Sequence, residues 1–215
     1  MKKFLFITIP VFIAAFISAY TFKHLNAESG SSAVRAISLT PPKDRAIAAF
    51  AEGCFWHTEL VFESLVGVDS VVSGYAGGRT VAPSYSQVGT ESTGHAEAVL
   101  IYYNPKVISF KELAKAYYLS HNPLQENGQG NDIGSQYRSI AFYSNPQEKA
   151  DILNFKTQVK GAVTEIRSLK SFYRAEDYHQ NYVAHHPDNS YVKHVSIPDF
   201  EEFKKKYGGK LKSGY

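Results

Sequence analysis

Cys54 is the only cysteine in 215 residues. No disulfide can close a loop within this chain, so its fold has to be held by an apolar core rather than by covalent staples. The length suffices for one such core plus appendages. Tyrosine and phenylalanine number 15 and 14, enough to line a pocket as well as to fill an interior. The formal net charge is +3 with histidine neutral, and it is dispersed, which leaves no electrostatic footprint for nucleic acid. The one basic run, Lys204-Lys205-Lys206, reads as a solvated face.

Met1-Lys2-Lys3 precedes an almost wholly apolar stretch, residues 4–22, and Ala27 offers a small residue for cleavage. That is the layout of a signal peptide, in a stretch long enough to serve as an uncleaved membrane anchor instead. Residues 1–27 are therefore expected to be signal peptide or membrane anchor. Residues 28–44, with several serines and Pro41-Pro42, are expected to be a flexible tether. One catalytic domain over 45–207 and a C-terminal tail over 208–215 complete the expected organisation. Either reading of the N-terminus exports the domain, to the periplasm or tethered to a membrane and facing away from the cytoplasm. A lone thiol in an oxidising compartment is a liability unless it has chemistry to do.

Residues 45–51 read as a strand, ended by Gly53. Cys54 opens a helical pattern with Phe55, Phe62 and Val66 on one side, stopped by Gly67. Further strands are expected at 69–75, 96–103, 138–143 and 164–169, the last of the series. Helices are expected from the Ser109 cap onward, at 146–160, at 175–186 and, more weakly patterned, at 200–207. Residues 79–94 and 121–136 lack an apolar period and read as long loops, which in compact domains are usually functional. Strands and helices alternate without a glycine-rich phosphate loop. The expected fold is α+β, a two-layer ferredoxin-like mixed sheet with flanking helices and long loops.

Cys54 sits where a strand hands over to a helix. Free backbone N–H groups and the positive end of the helix dipole point there and favour the nucleophilic thiolate. The competing reading is a small buried cysteine. Successive helical residues diverge by about 100°, so Phe55 and Trp56 cannot both follow Cys54 into one core face, and at least one ring borders the sulfur. Glu97 shares strand parity with Val99, Ile101 and Tyr103. It is expected on the core side, desolvated and so protonated, which suits a general acid; a surface carboxylate paired with a lysine is the alternative. Tyr85, Asp132 and Tyr137, in or beside the polar loops, could orient a ligand by hydrogen bonds or simply serve the turns. His179, His185, His186 and His194 have no ligand-like spacing, and no metal site is expected.

Four motifs occur in order: Gly53-Cys54-Phe55-Trp56 with Glu59, Gly74-Tyr75-Ala76-Gly77-Gly78, Gly94-His95-Ala96-Glu97-Ala98-Val99, and the run from Gly130-Asn131-Asp132 through Gln136-Tyr137-Arg138-Ser139. Together they resemble the peptide methionine sulfoxide reductase A family over about residues 45–205. The resemblance implies reduction of the S epimer of methionine sulfoxide, free or in proteins. It implies Cys54 as the nucleophile, Phe55 and Trp56 as the pocket for the substrate's methyl group, and Glu97 as the acid that protonates the sulfoxide oxygen. Tyr85, Asp132 and Tyr137 are implied around that oxygen, with Tyr182 nearby. The implied product on the enzyme is a Cys54 sulfenic acid.

The chain departs from many members of that family in two ways. His57 stands where glycine is common, and is expected as a solvated surface residue. The C-terminal segment from residue 189 lacks the cysteines with which many members resolve the sulfenic acid. The expected reductant is therefore an external thiol, from a thioredoxin-like or glutaredoxin-like protein or a small molecule, with no bound cofactor. Oxidised proteins or free methionine sulfoxide are the expected substrates, nucleic acid is not an expected partner, and a monomer is the expected state. Two rivals stay open: a hydrolase pairing Cys54 with a distant histidine, and a tethered protein that binds oxidised methionine without turning it over.

Overall fold

The computed structural model describes residues 34–215; the expected signal peptide or anchor and residues 28–33 of the expected tether lie outside the described residues. The sheet-forming segments are β1 (Arg35–Ala36), β2 (Ala46–Ala51), β3 (Val68–Ala76), β4 (Ala96–Tyr103), β5 (Gly128–Gln129), β6 (Asp132–Ile133), β7 (Ile140–Tyr143), β8 (Glu165–Ser168) and β9 (Phe172–Arg174). Seven of them form one sheet in the order β1-β9-β3-β4-β2-β7-β8, while β5 and β6 pair only with each other. All neighbours in the large sheet run antiparallel except β7 and β8, which are parallel, so the sheet is mixed. The helices are α1 (Phe55–Glu63), α2 (Tyr85–Gly89), α3 (Phe110–Ser120), α4 (Pro146–Gln158), α5 (Tyr182–His185) and α6 (Ile197–Lys206). Among the described residues no helix is long and apolar enough to cross a membrane.

Period-two alternation divides each central strand between two cores. Phe50 of β2 and Val99, Ile101 and Tyr103 of β4 face the helices, joined by Phe62, Leu113 and Tyr117. The Phe50 ring lies 5.3 Å from that of Phe62 and 4.8 Å from that of Tyr117, both stacked. Residues of opposite parity, such as Ala49, Ala98 and Leu100, face the other side, where Ile37, Leu39 and Leu169 cover them in place of a helix. The helices therefore form one layer and the sheet the other. Ser109 caps α3 in a capping box with Glu112, its hydroxyl accepting from the Glu112 N–H at 3.2 Å.

Several elements differ from expectation. The segment expected as tether enters the sheet at Arg35–Ala36, pairing with β9, and lays Ile37 and Leu39 against the core. Residues 164–169 are not the last strand, because β9 follows and pairs with β3; at three residues it shows no alternation. The expected loop 79–94 contains α2, started by a Ser84–Gln87 capping box. Residues 175–186 are not one helix. A single 3₁₀ turn, Asp177–His179, is followed by Asn181 at φ 52°, and only then by α5. Gln180 enforces the break: its side chain accepts from the Ser73 N–H at 3.1 Å and donates to the carbonyls of Ser73 and Ala175. The expected tail over 208–215 is tied down, with the Lys212 N–H donating to Ser64 O at 2.8 Å and Leu211 bridging to Leu65.

Candidate active site

Gly53 makes the turn from β2 into α1. Its φ is +110°, and a Cβ there would lie 2.7 Å from the Gln129 side chain, so the position suits glycine alone. Cys54 follows as the N-cap residue of α1, in extended conformation, with no side-chain cap bond to the helix. The first turn is left with free N–H donors. Phe55 N–H donates to Glu97 Oε2 at 3.1 Å. The N–H of Trp56 is directed at the Cys54 sulfur. The helix start thus binds a thiol and a carboxyl side by side.

Glu97 is 2% exposed and lies on the helix-facing side of β4. Burial pushes its carboxyl up to about 8, against the Phe55 N–H that favours its charged form. At neutral pH Glu97 is therefore largely protonated, as its parity and burial imply. Cys54 itself is half-buried. The expectation that the helix start would leave this thiol with a lowered pKa is corrected: burial pushes it up, and negative charge on Glu97 and Asp132 adds to that, outweighing the Trp56 N–H and the Tyr191 hydroxyl. The resting sulfur is a protonated thiol. A neutral Glu97 removes one of the opposing charges, so the thiol and the carboxyl compete for a single negative charge.

Phe55 is buried, and its ring lies 6.5 Å from that of Trp56, which is only half-buried. Trp56 is fixed from two sides. Its Nε1–H donates to His179 Nδ1 at 3.2 Å, and its face stacks on Tyr182 at 3.6 Å and 4°. Glu59 anchors that stack by accepting the Asn181 N–H at 2.9 Å. Tyr85 is held by Glu176, which accepts the Tyr85 N–H at 2.9 Å and the Tyr75 hydroxyl at 2.8 Å. The Tyr85 and Tyr137 hydroxyls meet, and Glu97 and Cys54 act on both when ionised; burial is the main cause that raises each, Tyr85 to about 12. Both phenols are hydrogen-bond donors at any neutral pH. Asp132 accepts a hydrogen bond from the Tyr191 hydroxyl.

Cys54, Glu97, Tyr85, Tyr137 and Asp132 are thus brought together around one point, with Phe55 and Trp56 beside it. Tyr182 joins the aromatic wall, but its hydroxyl accepts from Asn189 Nδ2 at 3.3 Å rather than turning to the sulfur. Tyr191 and His179 were not marked as part of the site by their sequence context. Tyr191 bridges Cys54 and Asp132 from 137 residues beyond the cysteine, and nothing around it in the chain signals that. His57 is not a surface residue. It is 7% exposed, with ring nitrogens 3.4 Å from Ser196 O and 3.3 Å from Ser120 O, and burial lowers its pKa. Among the described residues no hydrogen bond joins a histidine to Cys54, and burial holds His121, which lines a cavity with it, neutral, its pKa down at about 4. Among the described residues no group of three or more His, Cys, Asp or Glu side chains is placed to hold a metal ion.

A nucleophilic sulfur, a neutral carboxyl and two phenols converging beside a half-buried aromatic wall can protonate and displace an oxygen held on a soft centre. The family model for peptide methionine sulfoxide reductase matches residues 46–211. The peptide methionine sulfoxide reductase MsrA of Polynucleobacter asymbioticus is 45% identical over 168 residues, spanning 74% of this chain and 88% of that one. That of Leptospira borgpetersenii is 43% identical, with 74% and 93% covered. Among solved structures, methionine sulfoxide reductase A of Corynebacterium diphtheriae superposes with a TM-score of 0.65 at 30% identity, over 71% of this chain and 79% of that one. Reduced Mxr1 from Saccharomyces cerevisiae gives the same score and identity over 73% and 91%. The converging geometry and these matches agree: the chain belongs to the peptide methionine sulfoxide reductase family.

Proposed function

We propose that this chain reduces the S epimer of methionine sulfoxide, peptide-bound or free, with Cys54 as nucleophile and Glu97 as proton donor. The observation that carries the reading is the shared helix start, where a thiol lies beside a carboxyl whose pKa is about 8. The substrate's methyl group packs against Phe55 and Trp56, while the sulfoxide oxygen accepts from Glu97, Tyr85 and Tyr137. Asp132 and Tyr191 border the sulfur. Glu97 protonates the oxygen as the Cys54 sulfur attacks, because an unprotonated sulfoxide oxygen is a poor leaving group. The attack forms an S–S bond between Cys54 and the substrate sulfur; the hydroxyl then passes to Cys54 as that bond and the substrate's S–O bond break, so methionine departs and Cys54 becomes a sulfenic acid. The thiol's proton returns to Glu97, so the step is neutral overall.

The sulfenic acid is reduced by an external thiol, since no second cysteine exists in the sequence. A thioredoxin-like or glutaredoxin-like protein or a small thiol fits that requirement. The charged, then apolar, N-terminal sequence supports an exported enzyme, periplasmic or membrane-tethered, and a monomer suffices for the chemistry. An assay with dithiothreitol and the separated epimers of methionine sulfoxide tests the reading. Consumption of the S epimer, lost in Cys54→Ser, is expected; binding without consumption, or turnover by Cys54→Ser, would overturn it.

A further inference from the structure

A cavity of about 320 Å³ reaches Cys54 from a flank that Glu97 does not share. Its lining includes Glu52, Cys54, Ser120, Gln129, Val195 and Lys206, but none of Phe55, Trp56, Tyr85, Glu97 or Tyr137. Cys54, Asp132 and Tyr191 are the wall common to both sides. The mechanism above makes no use of this space.

Glu52 is the unexplained group in it. Glu52 follows β2 with the parity of Ala48 and Phe50, so it turns to the helix side, and it is 1% exposed. Its Oε2 accepts the Ser120 hydroxyl at 2.8 Å, while Oε1 is buried with no hydrogen-bond partner among the described residues. His121 does not compensate it. That ring lies 3.5 Å from Oε2, but its nitrogens are 2.6 Å from Tyr117 O and 2.8 Å from Ser139 Oγ, and burial holds it neutral, down at about 4. An unpaired buried oxygen is costly unless something arrives to use it. Burial also raises the proton affinity of the Glu52 carboxyl, so its carboxylate, when formed, is a base better matched to a thiol than an ordinary carboxylate.

We propose that this cavity is the port through which a small zwitterionic thiol, an amino-acid or short-peptide thiol, reaches the Cys54 sulfenic acid, and that Glu52 Oε1 receives its proton. The inference rests on the reductase reading. Displacement at sulfur runs in line, the incoming sulfur entering opposite the leaving group. An oxygen held on the Glu97 side leaves only the other flank for attack. Glu52, which burial keeps protonated at rest, first releases its proton to solvent; the incoming S–H then gives its proton to that carboxylate, the new S–S bond forms, the Cys54 S–O bond breaks, and the hydroxyl takes a proton from Glu97 and leaves as water. The proton that Glu52 released returns through solvent to Glu97. No further oxidant or reductant is consumed in forming the mixed disulfide. The cavity lies at the small end of ligand pockets, too small for the body of a protein. Asp199, Glu202 and Lys206, spaced along one face of α6, line it with both signs of charge, suited to a molecule carrying a carboxylate and an ammonium.

The two half-reactions can be separated. Enzyme is first treated with methionine sulfoxide without reductant, and the methionine released is counted. Glutathione is then added, and decay of the sulfenic acid is followed by the fluorescence of Trp56, the only tryptophan. The methionine burst should be unchanged in Glu52→Gln and Val195→Phe. Resolution by glutathione should slow about 10²-fold in Glu52→Gln, more for thiols of higher pKa, with partial recovery in Glu52→Asp. Val195→Phe should slow glutathione more than the smaller dithiothreitol. Wild-type resolution rates in both variants would overturn the port, as would a wild type that only a protein dithiol such as thioredoxin can resolve. Absence of a burst from the wild type would overturn the reductase reading and the port with it, and it shows before any thiol is added.

Discussion

The backbone N–H of Phe55 donates to Glu97 Oε2 at 3.1 Å, tying the first peptide after the nucleophile to the candidate proton donor across 42 residues of sequence. The bond fixes the carboxyl beside Cys54 and favours its charged form, yet burial still carries it to about 8. Replacing Glu97 by Gln keeps the shape and removes the proton. The methionine-forming half-reaction should slow by about 10²–10⁴-fold. In the wild type that rate should fall above about pH 8, as Glu97 loses its proton, and the descending limb should be missing from the variant. A single-turnover pH profile of both proteins decides this.

The same shift affects stability. Folded Glu97 holds its proton to about 8, against a reference of 4.5. Its contribution is fully present below about 4.5 and is lost as pH rises through about 8, because only the unfolded chain can ionise freely in that window. Glu97→Gln has no such loss. Its melting temperature should exceed that of the wild type at pH 8 and converge on it near pH 4.5, by about 2–4 °C for each kcal/mol involved. Equal pH dependence in the two proteins would show that Glu97 is not buried in neutral form.

The single O–H of Tyr191 lies between Asp132, to which it donates at rest, and the Cys54 sulfur, whose pKa it lowers by turning to the thiolate. Tyr191→Phe should therefore push the thiol further up, moving the pH curve for alkylation by iodoacetamide to higher pH. A hydrogen bond to a charged group is worth about 1.5–3 kcal/mol, so alkylation at neutral pH should slow about 10–100-fold. An unshifted curve would place the hydroxyl's influence on Asp132 alone.

How legible the site was depended on how local its causes were. Cys54 at a strand-to-helix junction, and Glu97 on the inner parity of β4, follow from glycine punctuation and period-two alternation within a few residues. Tyr191 and His179 do not, because each reaches the site from the C-terminal third of the chain by tertiary packing alone. The ionisation of Cys54 was misread for the same reason: the helix start is a local effect, whereas burial and the Asp132 charge are assembled by distant segments. In the fold, the long alternating strands were plain, but the three residues of β9 and the two of β1 are too short to show a period. The capping signature Ser84-x-x-Gln87 was present and would have revealed α2.

Tyr182 contributes a face to the site rather than a hydroxyl, since its ring stacks on Trp56 at 3.6 Å while its oxygen meets Asn189. Tyr182→Phe should leave activity within about threefold, whereas Tyr182→Ala should release Trp56 and raise KM with little change in kcat. Aromatic pairs contribute about 0.5–1.5 kcal/mol, which corresponds to a KM rise of roughly 2–12-fold. A large kcat loss in Tyr182→Phe would instead make the hydroxyl part of the chemistry.

Gly53 sets the direction in which Cys54 leaves the sheet. Alanine there meets two obstacles at once: a φ of +110° that L-residues rarely adopt, and a Cβ 2.7 Å from the Gln129 side chain. Backbone strain of this kind costs about 1–3 kcal/mol, so Gly53→Ala should lower the melting temperature by several degrees. Relief by rotation of the turn would also displace the Phe55 N–H from Glu97. Activity should then fall further than the unfolded fraction explains, measured as kcat per folded molecule at a temperature well below melting. If kcat per folded molecule matched the wild type, the turn would matter only for stability, and the positioning of Cys54 would have to come from α1 itself.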